Sequence, residues 1–187
     1  SDMENVYKVL SIAGSDPSGG AGIQADIKSI TSLGGYAATA ITAITVQNTF
    51  GVRSVFAVPP QVVAEQIGAV MEDIRPQAVK IGMVKDSEIV GVIVDAIRKY
   101  SPQVVVYDPV MVATSGSKLM ESGALAVLKE KLLPLATVVT PNIPEAEILA
   151  DRKIENEEDM LAAAKRISEA YHCAVLCKGG HSINDAN

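Results

Sequence analysis

The chain has 187 residues, 48% hydrophobic but only 4% aromatic, without Trp, and a formal net charge of -6. That length and aliphatic content suit a single α/β domain, with strands buried beneath helices on both faces. The acidic balance argues against a nucleic-acid backbone or an anionic membrane as partner, and no apolar run is long enough to cross a bilayer.

An apolar run, Val6 to Ala13, predicts the first strand, and it ends in a loop with glycines at 14, 19, 20 and 22. A helical pattern follows, with Ile23, Ile27, Ile30 and Leu33 on one expected apolar face, closed by Gly34-Gly35. Glycines at a strand-to-helix corner allow a sharp turn and close approach to the main chain. The N–H groups at the start of the helix then favour a small polar or anionic molecule. A structural tight turn is the competing explanation. A Walker-type loop is excluded because Gly22-Ile23-Gln24 stands where Gly-Lys-Ser/Thr is required. Gly20-x-Gly22-x-x-Ala25 fits a relaxed dinucleotide fingerprint, but no acidic residue between Asp26 and Glu65 is available to hold a ribose.

Tyr36 to Gln47 reads as a second strand, and Pro59-Pro60 opens a helix carrying Val63, Ile67, Val70, Met71 and Ile74. Ala78 to Ile81 is a short strand leading into Gly82-Met83. Asp86 or Ser87 can cap the next helix, with Ile89, Val90, Ile93, Val94 and Ile97 on its apolar face. Val104 to Tyr107 is a buried strand with Asp108-Pro109-Val110-Met111 at its end. Ala124 to Leu133 is predicted helical, Thr137 to Thr140 a strand, and Pro141 to Glu145 the exit from it. The acidic run Glu155 to Asp159 introduces a helix over Met160 to Tyr171, where it complements the helix dipole. Ala174 to Leu176 is the last strand, leaving through Lys178-Gly179-Gly180-His181. Cys173 and Cys177 are placed on one side of that strand as buried, reduced thiols, which fits a reducing compartment. With no signal peptide at its start, the chain is expected to be cytoplasmic.

Alternating strand and helix signals imply a mostly parallel sheet. Asp16, Gln47, Met83, Asp108, Asn142 and Lys178 each follow the last apolar residue of a predicted strand. They are therefore expected along the carboxyl-end rim of the sheet, where open α/β sheets bind ligands. Their chemistry suits phosphoryl transfer. Asp108 and Glu145 offer hard oxygen ligands for Mg²⁺, Asn142 a neutral amide near phosphate, and Lys178 a point cation. Gln47 matches the donor–acceptor edge of a heteroaromatic ring, which Met83 and Val110 can sandwich. His181 is either a phosphate contact or a solvent-side residue.

These motifs carry a resemblance. Gly14-Ser15-Asp16-x-Ser18-Gly19-Gly20-Ala21-Gly22-Ile23-Gln24-Ala25-Asp26 resembles the opening signature of hydroxymethylpyrimidine/phosphomethylpyrimidine kinases, within the ribokinase-like superfamily. The likeness continues through Gln47-Asn48-Thr49, Lys80-Ile81-Gly82-Met83, Asp108-Pro109-Val110-Met111, Thr140-Pro141-Asn142-x2-Glu145 and Lys178-Gly179-Gly180-His181, in the family's order. It implies a three-layer ribokinase-like sandwich and ATP- and Mg²⁺-dependent phosphorylation of 4-amino-5-hydroxymethyl-2-methylpyrimidine, then of its monophosphate, in thiamine synthesis. It further implies Asp26, Gln47, Met83 and Val110 as pyrimidine contacts, with Gly14 beside them. Asn142 and Glu145 match the superfamily's phosphate–magnesium motif, and Lys178 a nucleotide contact that stabilises phosphate. A small-molecule aminopyrimidine is the expected partner, and a homodimer the expected assembly. The family also carries a Gly-Thr-Gly-Cys turn with the anion hole and catalytic residue, and this sequence does not contain it. The 187 residues are accordingly expected to be one domain lacking the family's C-terminal segment. Two rivals stay open: a pyridoxal/pyridoxine kinase, and a non-catalytic small-ligand-binding protein.

Overall fold

The computed structural model describes residues 5–111 and 119–179. In chain order the elements are β1 (Lys8–Ser15), α1 (Gly22–Ser32), β2 (Tyr36–Asn48), β3 (Gly51–Ala57), α2 (Pro60–Asp73), β4 (Ala78–Ile81) and α3 (Ser87–Tyr100). They continue with β5 (Val104–Tyr107), α4 (Ser122–Val127), β6 (Val138–Val139), α5 (Ile143–Ala150), α6 (Glu157–Tyr171) and β7 (Ala174–Val175). The described strands form one sheet in the order β3-β2-β1-β4-β5-β6-β7. Neighbours pair in parallel except β2 with β3.

Strand alternation divides the sheet into two unlike faces. One face presents Leu10, Ile12, Val79, Ile81, Val105, Tyr107 and Val139 to the main core, against Val63 and Ile67 of α2, Ile89 and Ile93 of α3, and Ile167 of α6. The other face presents Ser11, Ala13 and Lys80, small or polar, beneath α1. The connection from β1 to β2 steps in the opposite sense from β4 to β5 and β6 to β7. The right-handed crossover rule therefore puts α1 across the sheet from α3 and α6, which gives the three layers.

That asymmetry corrects the expected apolar face of α1. Only Ile23 of the helix is buried; Ile27 is exposed, and Leu33, beyond the last turn, is 88% exposed. The stripe turned to the sheet is Ile23, Asp26 and Ile30, because the polar patch of Ser11 and Lys80 takes Asp26 rather than Ile27.

Four further features depart from the sequence reading. Gly51–Ala57, left unassigned there, is the antiparallel edge strand β3, with a register shift between Val46 and Gln47. Residues 143–145, read as a strand exit, already belong to α5: Asn142 and Glu145 form a reciprocal capping box. Ala124 to Leu133 is an α-helix only to Val127, then a π turn over Leu128–Leu132 and a 3₁₀ turn over Leu133–Leu135. Cys173 and Cys177 flank β7 instead of lying within it, and Cys173 is buried while Cys177 is only partly so; both are free thiols, and burial pushes both above the ordinary thiol range. Asp86 caps α3 as expected, accepting from the Ile89 N–H at 3.0 Å.

Candidate active site

Parallel strands ending together put residues that follow β1, β4, β5, β6 and β7, and the end of β2, on one rim. Gly14, Asp26, Gln47, Met83, Asp108 and Val110 all line one cavity of about 260 Å³ at that rim. Asn142, Glu145 and Lys178 lie outside its wall, towards β6 and β7, and meet it at Asp108.

The loop between β1 and α1 forms one side. Asp16 is 3% exposed, and its own carboxylate fills the turn. Oδ1 accepts from the Ser18 N–H at 2.8 Å and the Ser18 hydroxyl at 2.6 Å. Oδ2 accepts from the N–H groups of Gly20 at 3.1 Å and Ala21 at 2.8 Å. Burial pushes the carboxyl upward, but the Ser18 hydroxyl and these three N–H groups outweigh it and hold it below the ordinary range. The internal anion therefore takes N–H groups of the loop up to Ala21, the residue before the first turn of α1, and the loop acts as a wall. Gly22 lets that wall close: at φ 60° a Cβ there would stand 2.3 Å from the Gly14 carbonyl oxygen. Gln24 fastens the same corner by accepting from the Asp16 N–H and donating to the Ser15 hydroxyl, both at 2.8 Å.

The floor is polar. Asp26 Oδ2 accepts from Lys80 Nζ at 2.9 Å and from the Ser11 hydroxyl at 2.7 Å. Ser11 and Lys80 are register partners on β1 and β4, so the sheet itself sets both donors side by side under α1. Gly82 keeps room for them, because a Cβ there would lie 3.0 Å from Lys80 Nζ. On β2, Thr45 and Gln47 face inward while Ile44 and Val46 face solvent. Thr45 Oγ1 lies 2.9 Å from the Ser15 carbonyl oxygen and 3.0 Å from the Gln47 amide. Met83 and Val110 supply apolar walls; Gly14 leaves the Met83 sulfur space, since its Cβ would be 3.0 Å from Sδ.

At the far end Lys178 Nζ donates to Asp108 Oδ1 at 2.7 Å, and the Thr140 hydroxyl donates to the same oxygen at 3.3 Å. Glu145, 6% exposed, accepts from the Asn142 N–H at 2.9 Å through Oε1 and from the Met111 N–H at 3.5 Å through Oε2. Burial pushes its carboxyl upward; the Asn142 and Met111 N–H groups and Lys178 pull against this, and Asp108 adds to it. Asn142 Oδ1 in turn accepts from the Glu145 N–H at 2.9 Å. Glu145 and Asn142 thus serve first as a helix cap. Asp108 is the more open carboxylate, with only Oδ1 engaged among the described residues. Among the described residues no cluster of three or more His, Cys, Asp or Glu side chains converges on a point. Gly180 and His181 lie outside the described residues.

Sequence reasoning missed Lys80 and Thr45. Lys80 lay in plain view as a charged residue inside an otherwise apolar four-residue strand, which only a buried partner justifies. Thr45 shares a face with Gln47 two residues on, a signal available from strand periodicity.

Similarity to known proteins matches this geometry. A family described as phosphomethylpyrimidine kinase matches residues 16–187. A hydroxymethylpyrimidine/phosphomethylpyrimidine kinase of Rhizobium meliloti is 51% identical over 173 residues, covering 92% of this chain and 65% of the relative. The chain thus spans just under two thirds of that relative's length. The crystal structure of a phosphomethylpyrimidine kinase from Clostridium difficile superposes with a TM-score of 0.86 at 48% identity, covering 94% of this chain and 76% of the other. A pyridoxal kinase from Staphylococcus aureus, solved in complex with AMP-PCP, gives a TM-score of 0.83 at 37% identity, over 95% of this chain and 65% of that one.

Proposed function

The chain belongs to the phosphomethylpyrimidine kinase family, and from that premise we propose that the protein phosphorylates 4-amino-5-hydroxymethyl-2-methylpyrimidine, and then its monophosphate, from ATP with Mg²⁺, as a step of thiamine synthesis. The observation that carries the reading is the composition of the cavity. Gln47 offers a paired donor and acceptor on the wall of a cavity that Met83 and Val110 also line with apolar side chains, which suits a flat aminated ring. The wall towards β7 is Asp108, held by Lys178, so a hydroxymethyl group on that ring can face a carboxylate and a cation.

Phosphoryl transfer asks the protein chiefly for positioning and charge neutralisation. Lys178 supplies a cation for phosphate oxygens, and Asn142 a neutral amide at the start of α5 that adds no repulsion. The nucleotide assignment draws support from the AMP-PCP complex of the related kinase. The donor set fits Mg²⁺, because that ion takes one or two carboxylates and keeps several waters. Asp108 would hold it through Oδ2, and Glu145 through water, since backbone N–H groups occupy both Glu145 oxygens. When bound, the ion neutralises phosphate charge. A homodimer is proposed as the assembly, supported by Ile44, Val46 and Phe56, which expose apolar surface on β2 and β3. A cytoplasmic location completes the reading; no helix among the described residues is long and apolar enough to cross a membrane.

The pyridoxal/pyridoxine alternative has the weaker support, from relatives of lower identity. The test is ADP release from the purified protein with Mg-ATP and either the hydroxymethylpyrimidine or pyridoxal. Faster turnover of the pyrimidine is expected. A preference for pyridoxal would transfer the assignment to the alternative, and pyrimidine binding without ADP release would make the protein a non-catalytic binder.

A further inference from the structure

The hydroxyl of Thr45 has one proton and two neighbours that both present oxygen, the Ser15 carbonyl at 2.9 Å and the Gln47 amide oxygen at 3.0 Å. One proton cannot serve both contacts. The Ser15 carbonyl can only accept, so it fixes the proton. Gln47 is free to meet the hydroxyl with either end, because a carboxamide turned by half a rotation exchanges its nitrogen for its oxygen at nearly the same shape. The two ends are told apart only by their partners. With the proton committed to Ser15, the arrangement that leaves no oxygen facing an oxygen has Nε2 of Gln47 donating to Thr45 Oγ1. Thr45 is 6% exposed and lies two residues before Gln47 on the same face of β2, so water does not offer the amide an easy substitute.

A carboxamide nitrogen carries two protons. The one trans to the amide oxygen goes to Thr45, and the other stands beside Oε1 on the edge turned into the cavity. That edge reads an acceptor and a donor in a fixed order. We propose that Thr45 is a positioning residue that locks the polarity of the Gln47 amide, and that this lock makes the site select a 4-aminopyrimidine over its 4-oxo counterpart. The inference rests on the pyrimidine reading given above. An aminopyrimidine edge presents an N–H donor beside a ring-nitrogen acceptor. The oxo form presents a carbonyl acceptor beside a ring N–H donor, the reverse order. A freely turning glutamine satisfies both; a locked one satisfies one and sets like against like in the other. Paired-edge recognition of this kind commonly discriminates by about tenfold or more.

The test compares binding of 4-amino-5-hydroxymethyl-2-methylpyrimidine with that of its 4-oxo analogue by calorimetry, using the protein itself, Thr45→Val and Thr45→Ser. Valine keeps the shape and removes the hydroxyl; serine keeps the hydroxyl. Preference for the amino form by at least about tenfold is expected in the protein and in Thr45→Ser, falling towards equal affinity in Thr45→Val. A merely structural role for Thr45 would weaken both ligands together and leave their ratio unchanged, and that result would overturn the proposal while leaving the pyrimidine reading intact. So would an unaltered protein that binds both forms equally. An unaltered protein that binds neither would overturn the pyrimidine reading, and the proposal with it.

Discussion

Replacing Asp16 by Asn tests whether an internal carboxylate, and not a ligand, organises the loop between β1 and α1. Aspartate accepts four hydrogen bonds there, two at each oxygen. Asparagine keeps one acceptor and puts an NH₂ group where the other stood. Whichever way the amide turns, that group faces at least one backbone N–H 2.8 Å from the oxygen it replaces. Hydrogen bonds to a charged group contribute about 1.5–3 kcal/mol each; one is lost if the NH₂ group sits at Ser18, whose hydroxyl can turn to accept it, and two if it faces Gly20 and Ala21. The better orientation sets the expected cost at about 1.5–3 kcal/mol, read as a drop of roughly 1 M in the urea midpoint for a protein of this size. Acid should erase the difference. The folded carboxyl titrates below its unfolded value, so its stabilisation is complete above about pH 4 and disappears as pH falls through the folded pKa. The gap between the two proteins should therefore be full at pH 7 and narrow below pH 4. A loss under about 1 kcal/mol at pH 7, or a gap that widens in acid, would mean that the Asp16 carboxylate does not organise the loop.

Three other perturbations probe separate parts of the site. Gly22→Ala should cost about 2–4 kcal/mol in chemical denaturation, from a left-handed backbone and a Cβ 2.3 Å from the Gly14 carbonyl; a neutral change would show that the corner can relax. Lys80→Met and Asp26→Asn, measured singly and together, should reveal a coupling of about 1 kcal/mol or more, whereas additive effects would mean the 2.9 Å pair contributes nothing. Tyr107 is fully buried with no hydrogen-bond partner for its hydroxyl among the described residues, so Tyr107→Phe should leave thermal stability unchanged or raise it by about 1 kcal/mol; a clear loss would mean the hydroxyl is satisfied in solution.

The layered α/β architecture was legible because aliphatic strands and amphipathic helices alternate with clear periods. The same logic placed Gln47, Met83, Asp108, Asn142 and Lys178 on one rim, since each follows an apolar run in parallel strands. What stayed hidden depended on partners distant in sequence. Periodicity alone put Ile27 and Leu33 against the sheet, and only the pairing of Asp26 with Ser11 and Lys80, 15 and 54 residues away, turns α1 to its observed face. The glycine loop reads as open backbone, yet Asp16 takes the N–H groups of Ser18, Gly20 and Ala21 through bonds whose geometry no spacing rule reveals. Strand β3 was overlooked because Gly51 to Ala57 mixes polar and apolar residues irregularly, as an edge strand with one solvated side can. Asn142 and Glu145 had a signature for two roles at once, phosphate chemistry and a capping box, and the structure displays the cap.

The most direct measurement is a crystal structure of the protein with 4-amino-5-hydroxymethyl-2-methylpyrimidine bound. The ring is expected between Met83 and Val110, with its amino edge on the Gln47 amide and its hydroxymethyl group turned towards Asp108 and Lys178. A ring bound elsewhere, or one lying in the cavity with its hydroxymethyl group directed away from Lys178, would contradict the proposed site.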